Sequence, residues 1–223
     1  MALLLNIETA TKNCSVGLAK DGKTIALREI ATQNFSHAEK LHVFIEELFA
    51  ETQLKLQDLN AIAVSQGPGS YTGLRIGVSA AKGLCYALSV PLIAVDTLEL
   101  LARKINIENG IIVPMIDARR MEVFSAFFDS KYNKIRITQA EIIDEESYQD
   151  ISETLHLIGD GAMKFKDTLT AAKFQYYPEV EFPSATEMAQ VSFQKFQNNQ
   201  LEDVAYFEPF YLKDFAMLTK KVL

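Results

Sequence analysis

Between two short apolar runs, residues 61–65 and 91–95, the chain carries the turn-forming segment Gly67-Pro68-Gly69-Ser70-Tyr71-Thr72-Gly73, followed by a helix-spaced stretch over residues 72–88. A strand, a helix opening on a glycine-rich turn and a second strand pack as a right-handed parallel crossover, which commits this part of the chain to an α/β sheet. Upstream the period shortens. Residues 3–8, 14–19 and 24–30 read as strands, and Asp21-Gly22 is a hairpin turn, so the chain opens antiparallel. Ser36 with Glu39 forms a capping-box pattern ahead of Ala38, Leu41, Ile45, Leu48 and Phe49, predicting an amphipathic helix over residues 36–51.

Polar residues 106–110 break the pattern, and strand-like runs resume at 111–116 and 121–128. Residues 155–158 read as a strand ahead of Gly159-Asp160-Gly161, and 185–196 as a helix. A set of strands and β-α-β units followed by a shorter, similar set predicts an α/β protein of two related lobes. The boundaries are a first lobe at 1–106, a reduced second lobe at 107–206, and a C-terminal segment at 207–223 packing back on the first.

With 223 residues, 48% of them hydrophobic, the chain can bury a core without staples. Cys14 and Cys85 form no C-x-x-C pair and read as buried thiols of a reducing cytoplasm. The apolar run 2–5 has no basic flank and meets Glu8 at once, and the stretch 76–95 contains Lys82 and Pro91, so a cytoplasmic protein with no membrane segment is expected. A net charge of -7 and a pI near 5.1 argue against strong independent binding to nucleic acid; contact with RNA would be shared with a partner.

Three loops are candidates for chemistry. The first, with Gly67, Gly69 and Ser70, could present backbone N–H groups to an anion or serve only for tight packing. It is not a Walker loop: Thr72 and Leu74 stand where Gly-Lys-Ser/Thr would begin, and Thr72 also replaces the third glycine of the dinucleotide fingerprint. The second is Glu8-Thr9-Ala10-Thr11-Lys12-Asn13, a phosphate loop or ordinary turn chemistry. The third is Asp117-Ala118-Arg119-Arg120, able to touch phosphate or to form a solvated ion cluster. The three histidines, His37, His42 and His156, have no metal-site spacing, the first two falling on different helix faces. No Gly-x-Ser-x-Gly elbow or activated cysteine is visible.

The segment Gly67-Pro68-Gly69-Ser70-Tyr71-Thr72-Gly73-Leu74-Arg75-Ile76-Gly77 resembles the hallmark of the TsaB (YeaZ) family. Asn6-Ile7-Glu8-Thr9-Ala10 with Cys14-Ser15-Val16, then Ile116-Asp117-Ala118-Arg119-Arg120-Met121-Glu122-Val123, then Glu208-Pro209-Phe210-Tyr211-Leu212-Lys213 match further family segments in order. Residues 145–201 carry no such match. The resemblance implies the two-lobed fold of the actin-like, sugar-kinase and Hsp70 (ASKHA) superfamily. It also implies a non-catalytic subunit required for threonylcarbamoyl transfer to a tRNA adenosine, with TsaD as catalytic paralogue, TsaE as ATPase subunit and a homodimer when alone. tRNA would be met only through the complex. ATP and the metal ion would belong to the partner subunits, with no cofactor here: Thr97 and Leu101 replace the paralogue's two metal-binding histidines, and Glu8 and Ala10 stand where the superfamily places an aspartate and a glycine. The family's older description as a glycoprotease fails on the same missing histidines.

The resemblance further implies partner binding through the two first-lobe helices. Leu41, Ile45 and Leu48 mark one face, and Gly73, Ile76, Gly77, Ala80, Ala81 and Leu84 mark a nearly flat face that a second helix could approach, unless it packs inside its own lobe. Two rival functions remain open on sequence grounds: a small ATP-dependent kinase-like enzyme of the same fold, using acids such as Glu8, Asp117 or Asp160, and a homodimeric scaffold unrelated to tRNA.

Overall fold

The structure, a computed structural model, describes residues 1–32 and 37–212. In the first lobe β1 (Leu3–Glu8), β2 (Asn13–Lys20) and β3 (Lys23–Ala31) form an antiparallel meander; α1 (His37–Thr52), β4 (Ala61–Gly67), α2 (Tyr71–Leu88), β5 (Leu92–Asp96) and α3 (Thr97–Ala102) follow. The sheet order is β3-β2-β1-β4-β5, with β4 parallel to both β1 and β5. This is the crossover that the glycine-rich turn predicts. Ser36, half of the predicted capping box, lies outside the described residues, as does Lys213 of the C-terminal signature.

The second lobe repeats the plan. Strands β6 (Ile111–Asp117), β7 (Glu122–Phe128), β8 (Lys134–Ile142), β9 (Leu155–Ile158) and β10 (Phe174–Tyr176) run in the order β8-β7-β6-β9-β10, again an antiparallel meander joined to two parallel strands. A loop replaces the helix between β8 and β9, and a 3₁₀ turn, Ala162–Phe165, stands in for the one between β9 and β10. The expected two-lobed α/β plan with a reduced second lobe is present, and the duplicated topology is that of the actin-like superfamily.

Strand β10 escapes the sequence pattern for being only three residues long, and two longer elements escape it as well. Strand β8 turns Ile135, Ile137 and Ile142 outward, Ile137 being 73% exposed, while Arg136 and Glu141 pair on its inner side. Its alternation is inverted relative to a half-buried strand, so it reads as loop. α3 is too short for helical periodicity to register; Asp96 starts it by accepting the N–H groups of Leu98 and Glu99.

A further element is displaced. The helix at 185–196, expected in the second lobe, is α4 (Ala185–Gln197), and it packs on the first sheet instead. Ala185, Met188, Ala189, Val191 and Ser192 form its buried face, Met188 and Val191 against Leu4, Ala61, Ala63, Ile93 and Val95. Ser192 donates to Asn6 Oδ1 at 2.8 Å and the Ala185 N–H to Ser15 Oγ at 3.0 Å. This face of the first sheet is apolar, and α4, returning after the second lobe, covers it together with Leu100 of α3. Residues 201–212 then run along the first lobe: the Lys82 ammonium holds the carbonyls of Ala205 and Phe207, and the Phe210 N–H donates to the Gln66 carbonyl at 2.7 Å.

Candidate functional site

The loops singled out in the sequence lie at the C-terminal ends of β1, β4, β6 and β9, where open α/β sheets place their sites. The Glu8 carboxyl is fully buried: Oε1 accepts the Ala10 N–H at 2.6 Å and Oε2 has no hydrogen-bond partner. Burial pushes its pKa up to about 8, against the opposing Ala10 N–H and Ser65 hydroxyl, and the charge of Glu187 adds to the rise. At neutral pH this is a neutral acid turned into the protein, a poor holder of a cation.

Several neighbouring backbone donors are used internally. The Ser70 N–H donates to the Ala10 carbonyl at 2.7 Å, the Gly73 N–H to Ser70 Oγ at 3.3 Å and the Gly67 N–H to Thr97 Oγ1 at 3.1 Å; Thr9 Oγ1 donates to the Gly73 carbonyl at 2.8 Å. A Cβ at Gly69 would sit 2.3 Å from the Ala10 carbonyl oxygen, one at Gly73 2.1 Å from that of Thr9, and one at Gly77 2.2 Å from Thr9 Oγ1. These glycines let α2 and its leading turn close onto the β1–β2 loop. Of the two readings left open for Glu8, Thr9, Gly67, Gly69 and Ser70, the geometry favours tight packing over an anion cradle: loop packs on loop, and the Gly67, Ser70 and Gly73 N–H groups are bonded within the protein.

Of the two readings left open for the expected partner face, packing inside its own lobe accounts for most of the residues. Leu41, Ile45, Leu48, Gly73, Gly77 and Ala81 are buried in their own lobe, and Ile76, Ala80 and Leu84 are half-buried against the same core. A helix on a parallel sheet spends its apolar stripe there. What α1 and α2 turn outward is different: Ala38, His42, Val43 and Glu46 on α1, and Ser79, Gly83, Tyr86 and Ala87 on α2. Gly83 has no neighbouring heavy atom within 4 Å of a built Cβ, and Tyr86 is 85% exposed. His37 and His42 do face opposite ways; buried His37 has Nε2 2.8 Å from the Thr11 carbonyl oxygen, and burial lowers its pKa.

Across the cleft, Asp117 Oδ1 accepts the Arg119 N–H and the Lys164 ammonium, each at 2.7 Å, while the Asp117 N–H donates to Asp160 Oδ1 at 3.0 Å. Burial raises Asp160 to about 6; the Asp117 N–H and the charge of Lys12 pull the other way. Arg119 and Arg120 are exposed and both lie in the left-handed region, at φ of 70° and 54°. Thr97 is buried and spends its hydroxyl on Gly67, and Leu101 is buried in the second-lobe core, so neither offers a metal ligand. Among the described residues no cluster of three or more His, Cys, Asp or Glu side chains has metal-binding geometry. Sequence reasoning missed Ser65 of β4, and named Thr97 only as a lost metal position and not as the first residue of α3 whose hydroxyl holds the Gly67 N–H; nothing in their local pattern points to these roles.

A family profile described as TsaD, tRNA N6-adenosine threonylcarbamoyltransferase, matches residues 29–223. The tRNA threonylcarbamoyladenosine biosynthesis protein TsaB of Escherichia coli is 31% identical over 221 residues, 95% of this chain and 94% of that protein. The chain belongs to the TsaB (YeaZ) family. TsaB of Haemophilus influenzae is likewise 31% identical, over 95% of this chain and 93% of its own length. In fold, YeaZ from Pseudomonas aeruginosa superposes with a TM-score of 0.82 at 23% identity, covering 95% of this chain and all of that one. The TsaB hallmark is thus the β4–α2 turn and the first half of α2. Residues 208–212 of the TsaB C-terminal signature lie against that turn: the Phe210 carbonyl oxygen is 2.7 Å from a Cβ built on Gly67, and the Tyr71 and Tyr211 rings are 5.0 Å apart.

Proposed function

We infer that this chain is a non-catalytic subunit needed to form threonylcarbamoyladenosine in tRNA, where it binds and supports the catalytic paralogue TsaD. Identity to TsaB proteins along both lobes is the observation that carries this reading. The geometry supports the non-catalytic part: the acid where a kinase would hold Mg²⁺ is a buried neutral carboxyl, and the turns that would hold phosphate are bonded to each other. ATP and the metal ion of the reaction then belong to partner subunits, TsaE among them, and the chain needs no cofactor of its own. The outward faces of α1 and α2 are the surface for TsaD, and for a second copy of this chain when TsaD is missing. No helix among the described residues is long and apolar enough to cross a membrane, which fits a cytoplasmic subunit meeting tRNA only within the complex.

Removing the gene and measuring bulk tRNA nucleosides by mass spectrometry tests the role; undiminished threonylcarbamoyladenosine refutes it. The non-catalytic part is tested on the purified chain, which is expected to show no ATPase, kinase or peptidase turnover. A robust Mg²⁺-dependent rate abolished by Glu8→Gln would promote the kinase-like reading instead.

A further inference from the structure

The turn between β6 and β7 is closed by the Glu122 N–H to the Arg119 carbonyl at 3.3 Å and braced by the Ala118 N–H to the Glu122 carbonyl at 3.1 Å. Arg119 and Arg120 are the one place among the described residues where two consecutive non-glycine residues both take positive φ. Glycine or asparagine fills such positions without the clash that a long side chain brings. The backbone is held by the Arg119 N–H to Asp117 Oδ1 at 2.7 Å, but among the described residues neither guanidinium makes an ion pair or a side-chain hydrogen bond. Both side chains are exposed. The base of the turn, by contrast, is fixed, with Lys164 from the 3₁₀ turn held to Asp117 at 2.7 Å and to the Glu122 carbonyl at 3.3 Å. A braced hairpin thus carries two guanidiniums at its tip, at a backbone conformation that favours neither.

We propose that Arg119 and Arg120 form a contact for the phosphodiester backbone of RNA. The proposal rests on the reading above that the chain works in tRNA modification. Guanidinium is the side chain best matched to phosphate oxygens, and backbone held in a sparsely populated conformation clusters at binding positions. Of the nearby acids, Asp117 is paired with Lys164, and Asp160 accepts the Asp117 N–H while the charge of Lys12 opposes those of Asp117 and Glu181 upon it. RNA is favoured over a free nucleotide because the tip is open. Four cavities on the described surface are lined by other residues, and a small ligand needs enclosure that a hairpin tip does not give. In a chain of net charge -7 the contact is local and works only alongside a partner's own.

The test uses the complex of this chain with its threonylcarbamoyltransferase partner and a fluorescein-labelled, unmodified tRNA transcript, titrated by anisotropy at several salt concentrations. The double variant Arg119→Asn, Arg120→Gly removes both guanidiniums while suiting the turn better. It is expected to melt higher than wild type, to form the complex normally and to bind tRNA more weakly. The slope of log affinity against log salt should fall by about 1.4 to 1.8, the share of two phosphate contacts. An unchanged slope in a complex that binds tRNA overturns the proposal and leaves the tRNA role standing. Loss of ATP binding by the same complex with an unchanged tRNA slope overturns it in favour of a nucleotide phosphate. A wild-type complex that neither binds nor modifies tRNA removes the functional reading and the proposal with it.

Discussion

Replacing Glu8 by Gln isolates the energetic consequence of burying a carboxyl. The group titrates near 4.5 when exposed and near 8 in the folded chain, because burial penalises its anion. Between those values the folded state keeps a proton that the unfolded state has lost, so ΔG of unfolding falls as pH rises. The stability is complete below about pH 4.5 and is lost progressively toward pH 8. Each pH unit is worth about 1.4 kcal/mol, giving a loss of about 3 kcal/mol at pH 7 and about 4 kcal/mol at pH 8 relative to pH 4.5, since the slope flattens near both pKa values. Gln has nearly the shape of the neutral acid, its Oε1 can accept the Ala10 N–H, and its Nε2 takes the place of an oxygen that has no partner. Urea unfolding of both proteins from pH 4.5 to 8 gives the difference directly, with other titrating groups cancelling to first order. The Gln variant should match wild type at the acid end and exceed it by several kcal/mol at pH 8. A difference that does not change with pH, or a wild type more stable than the variant at pH 8, refutes the assignment of a buried neutral carboxyl.

Two glycines of α2 should respond in opposite directions. Gly77→Ala drives a Cβ onto Thr9 and should cost about 1–3 kcal/mol in thermal or urea melts, whereas Gly83→Ala, in open space on the same helix, should stabilise by about 1 kcal/mol. Equal effects at the two sites would show that close approach to the β1–β2 loop is not what the glycine serves. The outward faces give a binding prediction: Val43→Asp with Tyr86→Ala should leave the melting temperature within a few degrees and weaken association with TsaD, read by calorimetry; undiminished affinity would move the interface elsewhere on the surface.

Most of the fold was legible because it depends on local signals. Alternating strands, Asp21-Gly22 and the glycine-rich turn each act over a few residues, and together they give β1 to β5, the parallel crossover and the repeat of the plan from residue 111. The family too was legible, since the TsaB hallmark is a contiguous string. What a linear pattern could not decide was which partner each face meets. The small residues along α2 are compatible with another molecule or with the chain itself, and only the approach of Thr9 and Ala10 to within 2.1–2.3 Å of the built Cβ positions assigns Gly69, Gly73 and Gly77 to the chain itself. In the same way, α4 shows an apolar stripe in sequence but not the sheet it covers, which lies 170 or more residues away along the chain in its contacts with Ser15 and Asn6. The protonation of Glu8 and the strain at Arg119-Arg120 are further results of this kind. Burial and backbone conformation are set by everything that packs around a residue, so they are decided by the tertiary structure and cannot be read from neighbours in sequence.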